Sequence, residues 1–205
     1  MFPISDRSRA RARLTPGVLA LAILCVGGCA TLQQIAALRN VDFSLDGVTD
    51  PRLAGIDLAR VDSWDDLSFA DAARLTLAVT RKSMPMDFLV HVGAENPADN
   101  QTTARLIRMD WMLLIQDRET LTGVFEDEVL LPPGQPRDIP IRVSLDLVDF
   151  FEGSARDLLE LALSVAGAGG VPADVALRAT PTIDTPLGPM RYPEPITIVS
   201  GEVGR

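Results

Sequence analysis

The feature that most constrains this fold is a two-residue hydrophobic period that returns repeatedly along the body of the chain. Ile139, Ile141, Val143, Leu145 and Leu147 occupy every second position, separated by Pro140, Arg142, Ser144 and Asp146. Met86, Phe88, Val90, Val92 and Ala94 do the same against Asp87, Leu89, His91, Gly93 and Glu95. Such a series stays on one side of the backbone only in an extended strand with one wet face and one buried face. Val41, Phe43 and Leu45 start a strand ending at Asp46-Gly47, and a short one fits Ile56 to Val61. Ile107, Met109, Trp111, Leu113 and Ile115 line one face of a longer strand. Gln116-Asp117-Arg118 is its turn, and Leu121, Phe125, Val129 and Leu131 continue in the return. Val175, Leu177 and Ala179 begin another strand, and Ile196-Thr197-Ile198 supplies a last one. Asn96-Pro97, Pro132-Pro133-Gly134 and Thr185-Pro186-Leu187-Gly188-Pro189 punctuate the series. About eight short strands with frequent turns predict a mainly β, antiparallel sandwich.

Two helical stretches interrupt it. Ser68 followed by Asp71 opens a helix over 69–81, which Pro85 stops. Its expected wet stripe is Asp71, Arg74, Ala78 and Arg81; Phe69, Ala72, Ala73, Thr76 and Leu77 are expected to be buried. A second helix spans 154–167, with Leu158, Leu161, Ala162 and Val165 opposite Arg156, Glu160 and Ser164. That stripe needs cover, from the chain's own sandwich or from a partner. Docking on the sandwich is favoured, because the polar face carries both Arg156 and Asp157 rather than the basic residues of membrane-surface helices.

The head of the chain reads differently. Arg7, Arg9, Arg11 and Arg13 precede the apolar run Val18–Val26, which is too short to span a bilayer. Together they make an export signal. The run ends in Val26-Gly27-Gly28-Cys29, which resembles a bacterial lipobox. An ordinary secretory signal or an uncleaved anchor is the plainer alternative. On the lipobox reading, cleavage falls between Gly28 and Cys29. Residues 1–28 are then the signal peptide, and Cys29 carries three acyl chains, enough for stable anchoring. Residues 29–40 form the tether, 41–199 the folded domain and 200–205 a tail. Ala30 after the cysteine favours a bacterial outer membrane, facing the periplasm.

Charge narrows the function. The chain has 28 acidic and 19 basic residues, and the segment after residue 28 keeps 27 acidic against 15 basic. So acidic a surface repels phosphate backbones, which excludes nucleic acid as a partner. One histidine, with both cysteines before residue 30, rules out a His/Cys metal cage and a core disulfide. His91 sits on the wet strand face with Asp87 and Glu95, and no G-x-S-x-G elbow accompanies it; it reads as a surface histidine. Glu126-Asp127-Glu128 lacks calcium-loop spacing and reads as a solvated strand face. Gly167-Ala168-Gly169-Gly170 follows a helix rather than opening one, so it reads as a C-cap, not a phosphate loop. Asn100-Gln101-Thr102 matches a glycosylation sequon, which means little behind a bacterial lipobox. No catalytic residues, metal ligands or cofactor emerge from this reading.

The run Asp87-Phe88-Leu89-Val90-His91-Val92-Gly93-Ala94-Glu95-Asn96-Pro97 resembles the hallmark of the water-stress-and-hypersensitive-response domain, the second group of late-embryogenesis-abundant proteins. Asp110-Trp111-Met112-Leu113-Leu114-Ile115, Thr120-Leu121-Thr122-Gly123 and Leu130-Leu131-Pro132-Pro133-Gly134 before Ile139-Pro140-Ile141-Arg142-Val143 follow in the family's order. Pro181 to Pro189 resembles the ending of bacterial lipoproteins of this type. The resemblance covers residues 41–199. It implies a fibronectin-like or immunoglobulin-like sandwich, no catalytic residues and an association with desiccation tolerance. The helix at 154–167 and the envelope anchor depart from the simple domain. Two functions follow as expectations: a non-enzymatic, membrane-anchored stress protectant, or an envelope adaptor holding a protein or lipid through a sheet edge or the 154–167 helix. The chain alone fixes neither the partner nor the oligomeric state.

Overall fold

The computed structural model describes residues 41–100, 102–167, 175–184 and 188–199. The signal segment 1–28 with Gly28, Cys29 and its tether, Gln101, residues 168–174 and 185–187, and the tail 200–205 lie outside the described residues. In chain order the strands are β1 (Asp42–Leu53), β2 (Ile56–Asp57), β3 (Pro85–Glu95), β4 (Ala104–Ile115), β5 (Arg118–Phe125), β6 (Val129–Leu131), β7 (Arg137–Asp146), β8 (Val175–Asp184), β9 (Met190–Arg191) and β10 (Ile196–Val199). Helix α1 (Phe69–Thr80) precedes β3, and α2 (Ala155–Ala166) precedes β8. One sheet has the order β2-β1-β3-β7. The other runs β10-β8-β4-β5, with β6 also on β4 and β9 on β8. Every pairing between these strands is antiparallel. The fold is the expected β-sandwich, and two of its strands, β2 and β9, are only two residues long.

Alternation places the core. Met86, Phe88, Val90 and Val92 of β3 meet Leu145, Val143, Ile141 and Ile139 of β7 in register, all buried, and Ala94 is buried beside them. Val41, Phe43 and Leu45 are buried as expected, but β1 continues past Gly47 to Leu53 through two register shifts. The strand expected over 56–61 shrinks to β2, while Leu58 and Val61 still enter the core. On β4 the expected face is corrected at one position. A bulge between Leu106 and Arg108 shifts the phase, so Leu106 is buried and Ile107 is only half-buried. The β4–β5 turn uses Gln116 and Asp117, both at positive φ (51° and 59°), the backbone twist a tight hairpin needs.

Helix α1 buries a different stripe from the expected one. Leu75 and Ala78 are buried and Val79 is half-buried, while Phe69, Ala73, Thr76 and Leu77 are exposed. Ala72, Leu75, Ala78 and Val79 form a face of mostly small residues that lets α1 approach α2, with which it is in contact. Ser68 accepts from the Asp71 amide and caps the helix. Helix α2 docks on the sandwich and touches β1. Its buried residues are Ala155, Leu158, Leu159, Ala162, Leu163 and Val165; Leu161, expected in the stripe, is half-buried. Fully burying each large side chain contributes about 1.5–3 kcal/mol. Ser154 and Asp157 form a capping box, and Gly167 ends the helix at φ 69°, which a side-chain-bearing residue adopts only with strain.

Candidate functional site

The outer face of the first sheet carries the one histidine. His91 Nδ1 lies 2.9 Å from Asp138 Oδ2 on β7, and its Nε2 lies 2.8 Å from Thr49 Oγ1 on β1. The ring is therefore tied across three adjacent strands, rather than to Asp87 and Glu95 of its own strand. A hydroxyl, an imidazole and a carboxylate in a row form the skeleton of a nucleophilic triad. The environment differs from one. Asp138 is about half exposed, so water screens the charge that would hold the imidazole. The row acts as a cross-sheet staple. Asp87 accepts from Ser144 of β7, and Asp46 accepts from Ser44 at 2.6 Å over Gly93. A Cβ at Gly93 would collide with those two side chains, so glycine is what lets this acidic corner close.

Asn96, read from the sequence only as a strand terminator, is fully buried. Its Nδ2 donates to the carbonyls of Thr102 (2.9 Å) and Leu131 (2.8 Å), and its Oδ1 accepts from Asn100 at 2.5 Å. Its own carbonyl accepts from the Gly134 amide at 2.7 Å. One side chain thus joins the β3–β4 loop to β6 at the end of the sandwich where β1 begins. The Asn-Pro pair was the available signal, since a buried asparagine must satisfy both ends of its amide.

The outer face of the second sheet is meshed by ion pairs. Asp110 accepts from Arg108 (2.8 Å) and Arg191 (2.6 Å), and Arg108 also reaches Glu126 at 2.6 Å. The hydrogen bond that Arg108 donates to Asp110, then the nearby charges of Asp110 and Glu126, hold its guanidinium above its ordinary pKa. Arg105 pairs with Glu128 and Arg178 with Glu119. The acidic run Glu126-Asp127-Glu128 is therefore not a strand face. It links β5 to β6 with all three residues exposed, and its two glutamates are ion-paired. Inside this rim lies an open hollow of about 500 Å³ lined by Met112, Thr122, Val124, Arg178, Thr180 and Pro195. On the core side Trp111 lies against Gly123, where any Cβ would overlap the indole; its Nε1 is buried with no hydrogen-bond partner among the described residues.

Among the described residues no group of three or more His, Cys, Asp or Glu side chains is placed to hold a metal, and no helix is long and apolar enough to cross a membrane. No protein-family model matches the chain, and no curated protein matches it. Solved structures similar to it include three at low identity. A protein from Archaeoglobus fulgidus is 9% identical, with a TM-score of 0.31, 58% of this chain and 87% of that one covered. An ApaA protein from Bordetella pertussis is 14% identical, with a TM-score of 0.35, covering 80% and 95%. A late embryogenesis abundant protein is also 14% identical, with a TM-score of 0.34, covering 91% and 87%.

Proposed function

We propose that this chain is a non-enzymatic, acidic β-sandwich tethered to an envelope membrane through lipid on Cys29, where it protects neighbouring surfaces as water is withdrawn. The observation that carries the reading is the outer face of the first sheet. Asp42, Asp46, Asp87, Glu95 and Asp138 project from three adjacent strands, with Arg52 and Arg142 among them. Charge so strongly of one sign keeps molecules apart and soluble. A tethered layer of such domains limits contact between membranes and proteins when their separation falls. Drying survival of a deletion strain tests this, complemented with the wild-type gene or with Cys29→Ser. Wild type restores survival and the unlipidated variant does not. A deletion strain that survives drying like its parent overturns the protective role.

A specific observation favours a second reading, an envelope adaptor. Phe69 is 92% exposed on α1, and Ala73 and Leu77 follow it at helical spacing on the same open face. Phe69 alone presents roughly 200 Å² of apolar surface. Isolated apolar residues on a surface are ordinary, whereas a contiguous stripe of this kind is a contact face. A photo-crosslinking residue at position 69 that captures the same envelope protein in repeated preparations supports the adaptor; crosslinks only to solvent-quenched product remove it.

A further inference from the structure

The two sheets end in four edges, and three of them are blunted. β2 covers only Arg52 and Leu53 of β1, but the open side of β1 is bent by two register shifts and interrupted by Asp50 at positive φ and by Pro51. β10 is four residues long. β7 carries Pro140 inside its ladder with β3, and a proline survives there only where its nitrogen faces the open side, which removes a donor from that edge. The remaining edge is β5. It pairs with β4, and among the described residues no strand pairs with its far side. From Leu121 to Phe125 it is regular and contains no proline, lysine or other charge. Its core-facing Leu121 and Phe125 are only half-buried, and Val124 on the other face is 47% exposed beside the hollow. Exposed strand edges of this kind are what natural sheets usually protect.

The surrounding charge selects the occupant. Glu126, Asp127 and Glu128 stand at the end of this edge, all exposed. The pairs of the two glutamates with Arg108 and Arg105 are themselves open to solvent, so a basic segment can share them. A second copy of the chain is a poor fit. Two-fold antiparallel pairing about Thr122 sets Arg118 against Glu126 but also Asp117 against Asp127. It joins two chains each of net charge −9, a repulsion that a basic segment does not meet. We propose that β5 accepts, as an added strand, an extended segment of another protein with a short β-branched centre and flanking lysines or arginines. Its backbone completes the free ladder positions of β5, its alternate side chains cover Leu121 and Phe125 on one side and Val124 on the other, and its basic flank meets Glu126 to Glu128. This deepens the adaptor reading, on which it rests, by naming one edge and one partner chemistry.

The test uses the full-length chain and a nine-residue peptide with a Val-Thr-Val-Thr-Val centre and two lysines at each end. Binding should slow amide hydrogen exchange within residues 121–125 about tenfold or more at saturation. Raising the salt from about 0.05 to 0.5 M should weaken binding severalfold, because the flanks act through charge. Asp127→Asn with Glu128→Gln should weaken it similarly without altering the melting temperature. The same peptide N-methylated at alternate residues should not bind, a control that leaves the protein untouched. Equal binding of the methylated peptide, protection on β7 or β10 instead of β5, or concentration-dependent dimerisation through β5 each overturns the proposal. A partner captured reproducibly from Phe69 while β5 stays unprotected sinks the edge proposal and leaves the adaptor reading standing.

Discussion

Replacing Asn96 by alanine is the sharpest test of how the sandwich is closed at the end where β1 begins. The substitution removes two donated hydrogen bonds, to the Thr102 and Leu131 carbonyls, and one accepted from Asn100. A neutral hydrogen bond contributes about 0.5–1.5 kcal/mol net, and a buried group left without a partner costs about 1–3 kcal/mol. Asn96 is fully buried, so the Leu131 carbonyl has no ready route to water. The expected loss is about 2–4 kcal/mol, a large share of the 5–15 kcal/mol typical of a whole domain. For a domain of this size that lowers Tm by roughly 5–15 °C. Thermal and urea unfolding followed by circular dichroism measure it. Asn96→Asp should do at least as much damage, because it keeps the acceptor, loses both donors and points charge at two carbonyl oxygens. Asn100→Ala should cost less than Asn96→Ala, since its bond to Asn96 lies at a half-buried site that water can reach. If Asn96→Ala unfolds within about 1 kcal/mol of wild type, the side chain is not the fastening described here.

Three further outcomes follow from the packing and the charges. Leu159→Ala, at a position with no exposed surface, should cost about 2–5 kcal/mol, whereas half-buried Leu161→Ala should cost about 1 kcal/mol; equal losses in urea unfolding would contradict the docking of α2. The Ser154 amide, then its hydroxyl, hold the Asp157 carboxyl below the ordinary carboxylate range. The capping contribution is therefore complete above the unfolded value of about 3.9 and is lost as pH falls through the lower folded value. Acid unfolding of Asp157→Asn should differ from wild type at neutral pH and converge with it at the acid end. His91→Gln should change stability by under about 1 kcal/mol and leave drying survival intact; loss of survival at unchanged Tm would give this residue a direct role.

The sandwich was legible because period-two alternation is dictated by burial itself. The alternation from Met86 to Ala94 and from Ile139 to Leu147 survives in the structure side chain for side chain. Where it failed, a local event had changed the phase: the bulge beside Leu106 exposes Ile107 on one of its sides. The buried stripe of α1 was illegible for a different reason. A helix carrying many alanines offers more than one plausible face, and the choice fell to what α2 could accommodate rather than to the largest side chain. The His91 staple was only half visible. Its wet face followed from alternation, but Thr49 and Asp138 lie 42 and 47 residues away and reach it through strand register alone. Asn96 left only the Asn-Pro pair as its trace, and its bond to Leu131, like that of Asp110 to Arg191, depends on which strands become neighbours.

The position of β4 carries a consequence for how the chain comes to be folded. One side of β4 is filled at once, because β5 follows it through a two-residue turn. The other side waits for β8, whose first pair joins Ile115 to Val175 and whose last joins Arg105 to Asp184. About sixty residues must be added after Ile115 before that pairing can begin, several seconds at ordinary rates of synthesis. Throughout that interval a twelve-residue strand rich in leucine and methionine is half-paired. So non-local a closure places folding on the slow, millisecond-to-second scale of sandwich topologies. A chain ending before Val175 never closes it, and should collect in the insoluble fraction even though α1, α2 and the whole first sheet are present.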